Sequence, residues 1–269
     1  MQARWQIEAG CELIFVAGGD GTINEVANGM LHSGVPLCVL PGGTANVLAR
    51  EMRLSMNMVK VAERLTTLEP CRVSVGTIRT GAFEKRCFMC MAGAGLDAEI
   101  VYHLNLDLKA AIGKGAYYLC GFSQVFRPLE EFKVSVDGKI FQASFALISR
   151  VRNYGGDLEI ARGASLLRDD FEVVLFRGTQ SLRYLPYLVG VAVGQAHRMN
   201  GVTTVRGHSV TCEPAAGSQT GKDIYAQIDG ELTGKLPLTV EILPDALTLL
   251  APRDYMAREQ LLLEVAACV

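Results

Sequence analysis

A parallel α/β layer followed by a larger, mainly antiparallel β domain is the fold class this sequence predicts. Three observations carry it. Two continuous apolar runs, residues 13–17 and 35–40, are each followed by a glycine cluster and a helical stretch, the pattern of buried parallel strands joined by crossover helices. After Pro70 the period changes to a long succession of strands. Asp137-Gly138 then sits between two such strands as a two-residue hairpin signal.

The elements follow in order. Residues 13–17 are expected as a strand covered on both faces. The next helix carries Ile23, Val26, Ala27, Met30 and Leu31 at the spacing of one apolar stripe, with Asn24, Glu25 and Asn28 off it, and Ser33-Gly34 ends it. Residues 35–40 form the second strand, Ala49-Arg50-Glu51 a short helix, and 56–68 a further helix. Strands are then expected at 72–79, 83–92, 132–136, 140–149, 171–176, 202–212, 224–228, 238–243 and 247–251, interrupted by helices at 98–106, 113–127 and 181–199. A terminal helix over 254–267 is expected to dock through Leu261, Leu262 and Val265. The corresponding domains are residues 1–70, 71–251 and a C-terminal helix at 252–269.

Composition limits the function classes. Lys and Arg number 26 against 28 Asp and Glu, a net charge of −2, so no overall field attracts nucleic acid and none is expected as a partner. No apolar run is long enough for a spanning helix and the first residues lack a secretory apolar centre, which makes the cytoplasm the expected location. The eight cysteines lie among apolar neighbours, and Cys87 and Cys90 form a lone C-x-x-C with no second pair, so both are read as buried thiols rather than zinc ligands.

The chemistry is concentrated in two loops. Gly18-Gly19-Asp20-Gly21-Thr22 lies between a strand and a helix start, where backbone N–H groups and the helix dipole favour an anion. Pro41-Gly42-Gly43-Thr44-Ala45-Asn46 follows the next strand, so the two loops should lie side by side as walls of a polyphosphate cradle. Asp20 supplies a carboxylate suited to magnesium, and its neutralisation is expected to leave the fold intact.

These residues, with Ile23-Asn24-Glu25-Val26, Asn28-Gly29 and Ala49-Arg50-Glu51, resemble the catalytic region of the diacylglycerol kinase, lipid kinase and sphingosine kinase superfamily. Ala92-Gly93-Ala94-Gly95-Leu96-Asp97-Ala98, Tyr154-Gly155-Gly156 and Ile228-Asp229-Gly230-Glu231 extend the resemblance over most of residues 9–251. It implies an N-terminal ATP-binding domain, a C-terminal β-sandwich and an active site between them. ATP is expected on Gly18, Gly19, Asp20, Gly21, Thr22, Asn24, Glu25, Gly42, Gly43, Thr44 and Asn46, with Mg2+ as cofactor. Asp229-Gly230-Glu231 is expected to supply the base, Glu231, with Asp229 and Asp20 in the magnesium and water network; a plain hairpin turn is the alternative reading of Asp229-Gly230. Asp97 and Lys109 are substrate candidates, Asp97 equally a helix cap, and Asp169 and Asp170 are metal candidates or a solvated acidic turn.

The implied reaction is phosphoryl transfer from ATP to diacylglycerol or a related lipid. A sphingoid or other lipid acceptor is the alternative, and an NAD kinase fits the loops less well. The expected partner is a lipid at the inner membrane surface, seated by a basic rim of Lys109, Lys114, Arg127, Arg150 and Arg152; a homodimer is the expected assembly if the chain self-associates. The resemblance also implies an earlier strand and an Asn-Pro phosphate loop, whereas 17 residues precede Gly18. The alternative of a different class is therefore a catalytically inactive nucleotide- or lipid-binding protein.

Overall fold

The computed structural model describes residues 2–81, 83–96, 98, 129–155, 158–179, 184–192, 194–215 and 223–267. A short helix, α1 (Gln2–Glu8), not anticipated from the sequence, precedes the first strand. The α/β layer then runs β1 (Ile14–Gly18), α2 (Asp20–Asn28), β2 (Pro36–Pro41), α3 (Val47–Glu51) and α4 (Met58–Glu63). β1 and β2 pair in parallel, Gly18 opposite Pro41, which brings the two glycine loops to one edge of the sheet. The expected two-sided cover of β1 is not found. It is the outer strand, α2 packs on the face of Val16, and Phe15 on the other face is 48% exposed.

The strands after β2 are β3 (Leu68–Thr80), β4 (Phe83–Phe88), β5 (Met91–Gly95), β6 (Phe132–Val136), β7 (Lys139–Ala143), β8 (Phe145–Ser149), a small pair β9 (Asn153–Tyr154) and β10 (Leu158–Glu159), and β11 (Phe171–Phe176). Helix α5 (Tyr184–Ala192) leads to β12 (Val202–Gly207), β13 (Ser209–Pro214), β14 (Tyr225–Ile228), β15 (Glu231–Lys235) and β16 (Leu238–Pro252), and α6 (Arg253–Ala267) closes the chain.

Three of the expected long strands are broken. The chain passes from one sheet to the other at Met89-Cys90, at Ser144 and at His208, so 83–92, 140–149 and 202–212 each contribute to both sheets. Conversely, 238–243 and 247–251 are one strand, with a register shift between Leu243 and Leu247. The first sheet holds eight strands and the second runs β12-β11-β8-β5-β14-β15. Between them Phe88, Phe132, Phe171, Val210 and Val240 form a dry core, with the Phe88 and Phe171 rings stacked at 6.0 Å.

β16 joins the two halves. It pairs antiparallel with β3 and β13 and parallel with β2, so the α/β sheet continues into the sandwich. The terminal helix docks differently from expectation. Leu261, Leu262 and Val265 are exposed, while Tyr255 and Glu259 are buried, because Arg152 of the sandwich neutralises Glu259 inside the contact.

Candidate active site

The two glycine loops touch backbone to backbone. Gly42 N–H donates to Gly18 O at 2.9 Å, and a Cβ on Gly43 would stand 2.5 Å from Gly19 Cα. No other residue permits that approach. Asn46, in the left-handed conformation at φ 49°, closes the second loop by accepting from Gly43 N–H and donating to Gly43 O, both at 2.8 Å. Gly42, Gly43, Thr44 and Thr22 remain exposed on the solvent side of the loops.

Asp20 is the tie between them. Its Oδ2 accepts from Val47 N–H at 3.0 Å and its Oδ1 from Leu48 N–H at 3.1 Å, so a residue in the first turn of α2 satisfies orphan donors at the start of α3. α2 itself starts at Gly19 with no side-chain cap, which leaves its N-terminal N–H groups for an anion.

The sandwich reaches this edge through the β14–β15 hairpin. Glu231 Oε1 lies 2.2 Å from the point where a Cβ on Gly21 would be, and Glu231 is exposed to solvent. Asp229 and Gly230 both take positive φ, 47° and 84°, as a tight hairpin requires. The hairpin reading of Asp229-Gly230 therefore holds, and the turn leaves Glu231 beside Gly21. Asp229 Oδ2 accepts from Met89 N–H at 2.8 Å, and Oδ1 accepts from Cys90 and Met91 N–H, both at 2.9 Å. Burial raises the Asp229 carboxyl to about 7, against the pull of those three N–H donors and with a contribution from the Asp20 charge. Asp229 thus fixes the hairpin to the β4–β5 crossover.

Two of the expected nucleotide residues, Glu25 and Asn24, have partners within the protein. Glu25 forms an ion pair with Arg86 on β4. Asn24 is buried, and its carbonyl and Oδ1 both accept from Asn28 Nδ2. Asn28 in turn exchanges hydrogen bonds with the Cys87 backbone. This side of α2 fastens the helix to the sandwich. Asp97 and Lys109 lie outside the described residues, as do Lys114 and Arg127.

The metal candidates sit elsewhere, and Asp170 is already neutralised. Asp170 is held by Arg168 and Arg206; burial alone would raise its carboxyl, but the bonds from Arg206 and Arg168 outweigh it and hold the group well below the usual range. Asp169 accepts from Ser74 Oγ. Two guanidiniums thus occupy the positions a cation would need. Among the described residues no three His, Cys, Asp or Glu side chains converge on a metal position. Cys87 and Cys90 are buried, and burial raises both thiols.

Motif spacing gave no hint of one structural network beside the site. Arg152, after β8, bonds Glu51 of α3 at 3.1 Å and Glu259 of α6 at 2.6 Å, and its N–H donates to Glu51 Oε2 at 2.9 Å. Arg150 is fully buried and donates to the carbonyls of Ser74, Leu166 and Asp170. Neither arginine is available as the expected lipid-facing rim.

Residues 2–78 match the diacylglycerol kinase catalytic domain family, and residues 90–251 match the YegS C-terminal NAD kinase beta sandwich-like domain family. The diacylglycerol kinase of Bacillus subtilis (strain 168) is 28% identical over 233 residues, 84% of this chain and 73% of that protein. That of Staphylococcus carnosus (strain TM300) is 24% identical over 265 residues, 96% and 83% of the two chains. A crystal structure of a diacylglycerol kinase from Bacillus anthracis str. Sterne shares the fold, with a TM-score of 0.72 at 22% identity over 94% of this chain and 82% of that one. With the catalytic-domain match ending in β3 and the sandwich match taking in more than half of the chain, this chain belongs to the diacylglycerol kinase-like family of bacterial lipid kinases with a YegS-type sandwich.

Proposed function

We propose that the protein transfers the γ-phosphoryl of ATP to the hydroxyl of diacylglycerol or a related membrane alcohol, giving a phosphatidic-acid-like product. The observation that carries this reading is Glu231, which the sandwich holds against Gly21 at the edge formed by the two glycine loops. An exposed carboxylate beside an uncapped helix start supports a proton acceptor next to a phosphate seat.

In this reading the acceptor hydroxyl gives its proton to Glu231 as its oxygen bonds the γ-phosphorus and the bond to the bridging oxygen of ADP breaks. The first-turn N–H groups of α2 and the exposed second loop hold the negative oxygens. The residues present suit a magnesium ion that keeps most of its waters and is bound through substrate phosphates. Asp20 would hold it, since each carboxylate oxygen keeps acceptor capacity after one N–H bond, and the ion would supply neutralisation of phosphate charge there. Asp229 and Asp20 act on position, by anchoring the hairpin and α3.

Single-turnover kinetics at saturating ATP tests the assignment. Glu231→Gln should slow the phosphoryl step by orders of magnitude with ATP affinity nearly unchanged. A parent-like rate in that variant removes Glu231 as the base, and faster phosphorylation of NAD than of diacylglycerol, sphingosine or ceramide removes the lipid assignment.

A further inference from the structure

The strand directions place a second feature at the same edge as the loops. β16 runs parallel to β2, with Thr248 opposite Pro36 and Leu249 opposite Leu37, so its end at Pro252 points the same way as the ends of β1 and β2. A cleft of about 270 Å³ lies there, between residues 53–55, α4, Thr67-Leu68 and residues 252–254. At a strand spacing of about 4.8 Å it is roughly 10 Å across the sheet from the Gly18 loop.

Charge and apolar surface are combined at this cleft. Arg53, Lys60, Arg64 and Arg253 line it, with Asp254 the one acidic lining residue. Arg253 pairs with Glu69. Arg53, Lys60 and Arg64 have no ion-pair partner among the described residues. On the same segment Met56, Met58 and Val59 are 39%, 42% and 64% exposed, while Val61 anchors α4 in the core. Unpaired cations interleaved with exposed apolar side chains match an anionic bilayer, whose phosphates take the charge and whose acyl boundary takes the apolar tips.

We propose that residues 53–64, with the adjoining cleft, are the surface by which the protein docks on an anionic membrane. The inference deepens the lipid-kinase reading and rests on it for its purpose: a bilayer touching α4 lies at the sheet edge that carries Glu231 and both glycine loops. The net charge of −2 does not oppose it, because screening confines the effective field to about 10 Å.

Co-sedimentation with vesicles, without nucleotide or acceptor, tests the surface independently of turnover. The parent chain should bind phosphatidylcholine vesicles containing phosphatidylserine, bind pure phosphatidylcholine weakly, and lose binding at high salt. At about fivefold per cation, the triple variant Arg53→Gln/Lys60→Gln/Arg64→Gln should bind roughly a hundredfold more weakly. Its unfolding temperature and its turnover of acceptor dispersed in neutral detergent should match the parent. Met58→Ser/Val59→Ser should weaken binding with the salt dependence retained, and Lys60→Glu alone gives a several-fold reading should the triple variant not fold. Equal sedimentation of parent and triple variant, or a cleft that takes inorganic phosphate while the protein ignores the vesicles, overturns the proposal. A chain that docks but phosphorylates no lipid leaves this surface standing and fails the reading before it.

Discussion

Glu231 of the sandwich and Gly21 of the first loop occupy each other's space: a Cβ on Gly21 would fall 2.2 Å from Glu231 Oε1. This relationship separates activity from stability. Gly21 is in α2, and the clashing atom is the end of a flexible side chain, so Gly21→Ala should leave unfolding within about 1 kcal/mol of the parent. Glu231 must swing away, and the rate should fall at least tenfold. Unchanged turnover in Gly21→Ala would show that the position of Glu231 over the loop does not matter.

Gly43→Ala should behave in the opposite way. Its Cβ would meet Gly19 Cα at 2.5 Å, and backbone cannot step aside cheaply. The loops should part, with stability lost by about 1–3 kcal/mol and ATP affinity lost with it. Thermal unfolding and nucleotide titration of the two alanine variants, side by side, check the contrast.

Asp20→Asn should cost both activity and stability, contrary to the expectation from sequence that the fold would not respond. An amide retains one acceptor oxygen and sets an N–H group against Val47 or Leu48 N–H, a capping loss of about 1 kcal/mol. Chemical denaturation alongside kinetics measures the two effects; an unshifted midpoint would mean that the α3 cap contributes nothing.

Removing Arg152 leaves Glu51 and Glu259 buried without their cation. Arg152→Ala should destabilise the chain by about 3 kcal/mol, with α6 released first, which hydrogen exchange in residues 253–267 would detect. Protection of α6 equal to the parent would show that apolar contacts alone hold it.

Asp229 makes stability depend on pH in a direction unusual for a carboxylate. Its folded value is raised to about 7, so between about pH 4 and 7 the folded state holds a proton that the unfolded chain has released. The contribution is fully present below pH 4 and is lost as pH rises to 7. The unfolding free energy of the parent relative to Asp229→Asn should therefore fall across that window. A relative rise would mean that the N–H donors of Met89, Cys90 and Met91 outweigh burial.

The order of elements in the α/β layer was legible because apolar runs ending in glycine clusters admit few structures: β1, β2 and both loops stand where the pattern puts them. Most of the strand content after residue 70 was legible from the change of period, but β9, β10 and β15 were not. Which sheet each strand joins was not, because the crossovers at Met89-Cys90, Ser144 and His208 are breaks of one or two residues, and only the last has a Gly or Pro beside it, Gly207.

The two Asp-Gly hairpins show most directly where sequence stopped. Asp137-Gly138 and Asp229-Gly230 have the same residues, φ of 45° and 84° in one, 47° and 84° in the other, and identical local physics. Sequence determined both turns. The first carboxylate binds the N–H groups of His208 and Ser209 at an exposed edge, and although what burial it has raises it, those bonds hold it below the ordinary range. The second is enclosed beneath the β4–β5 crossover and raised to about 7. Solvent exposure of a carboxylate depends on chain segments some 140 positions away, and no local pattern encodes what those segments will cover.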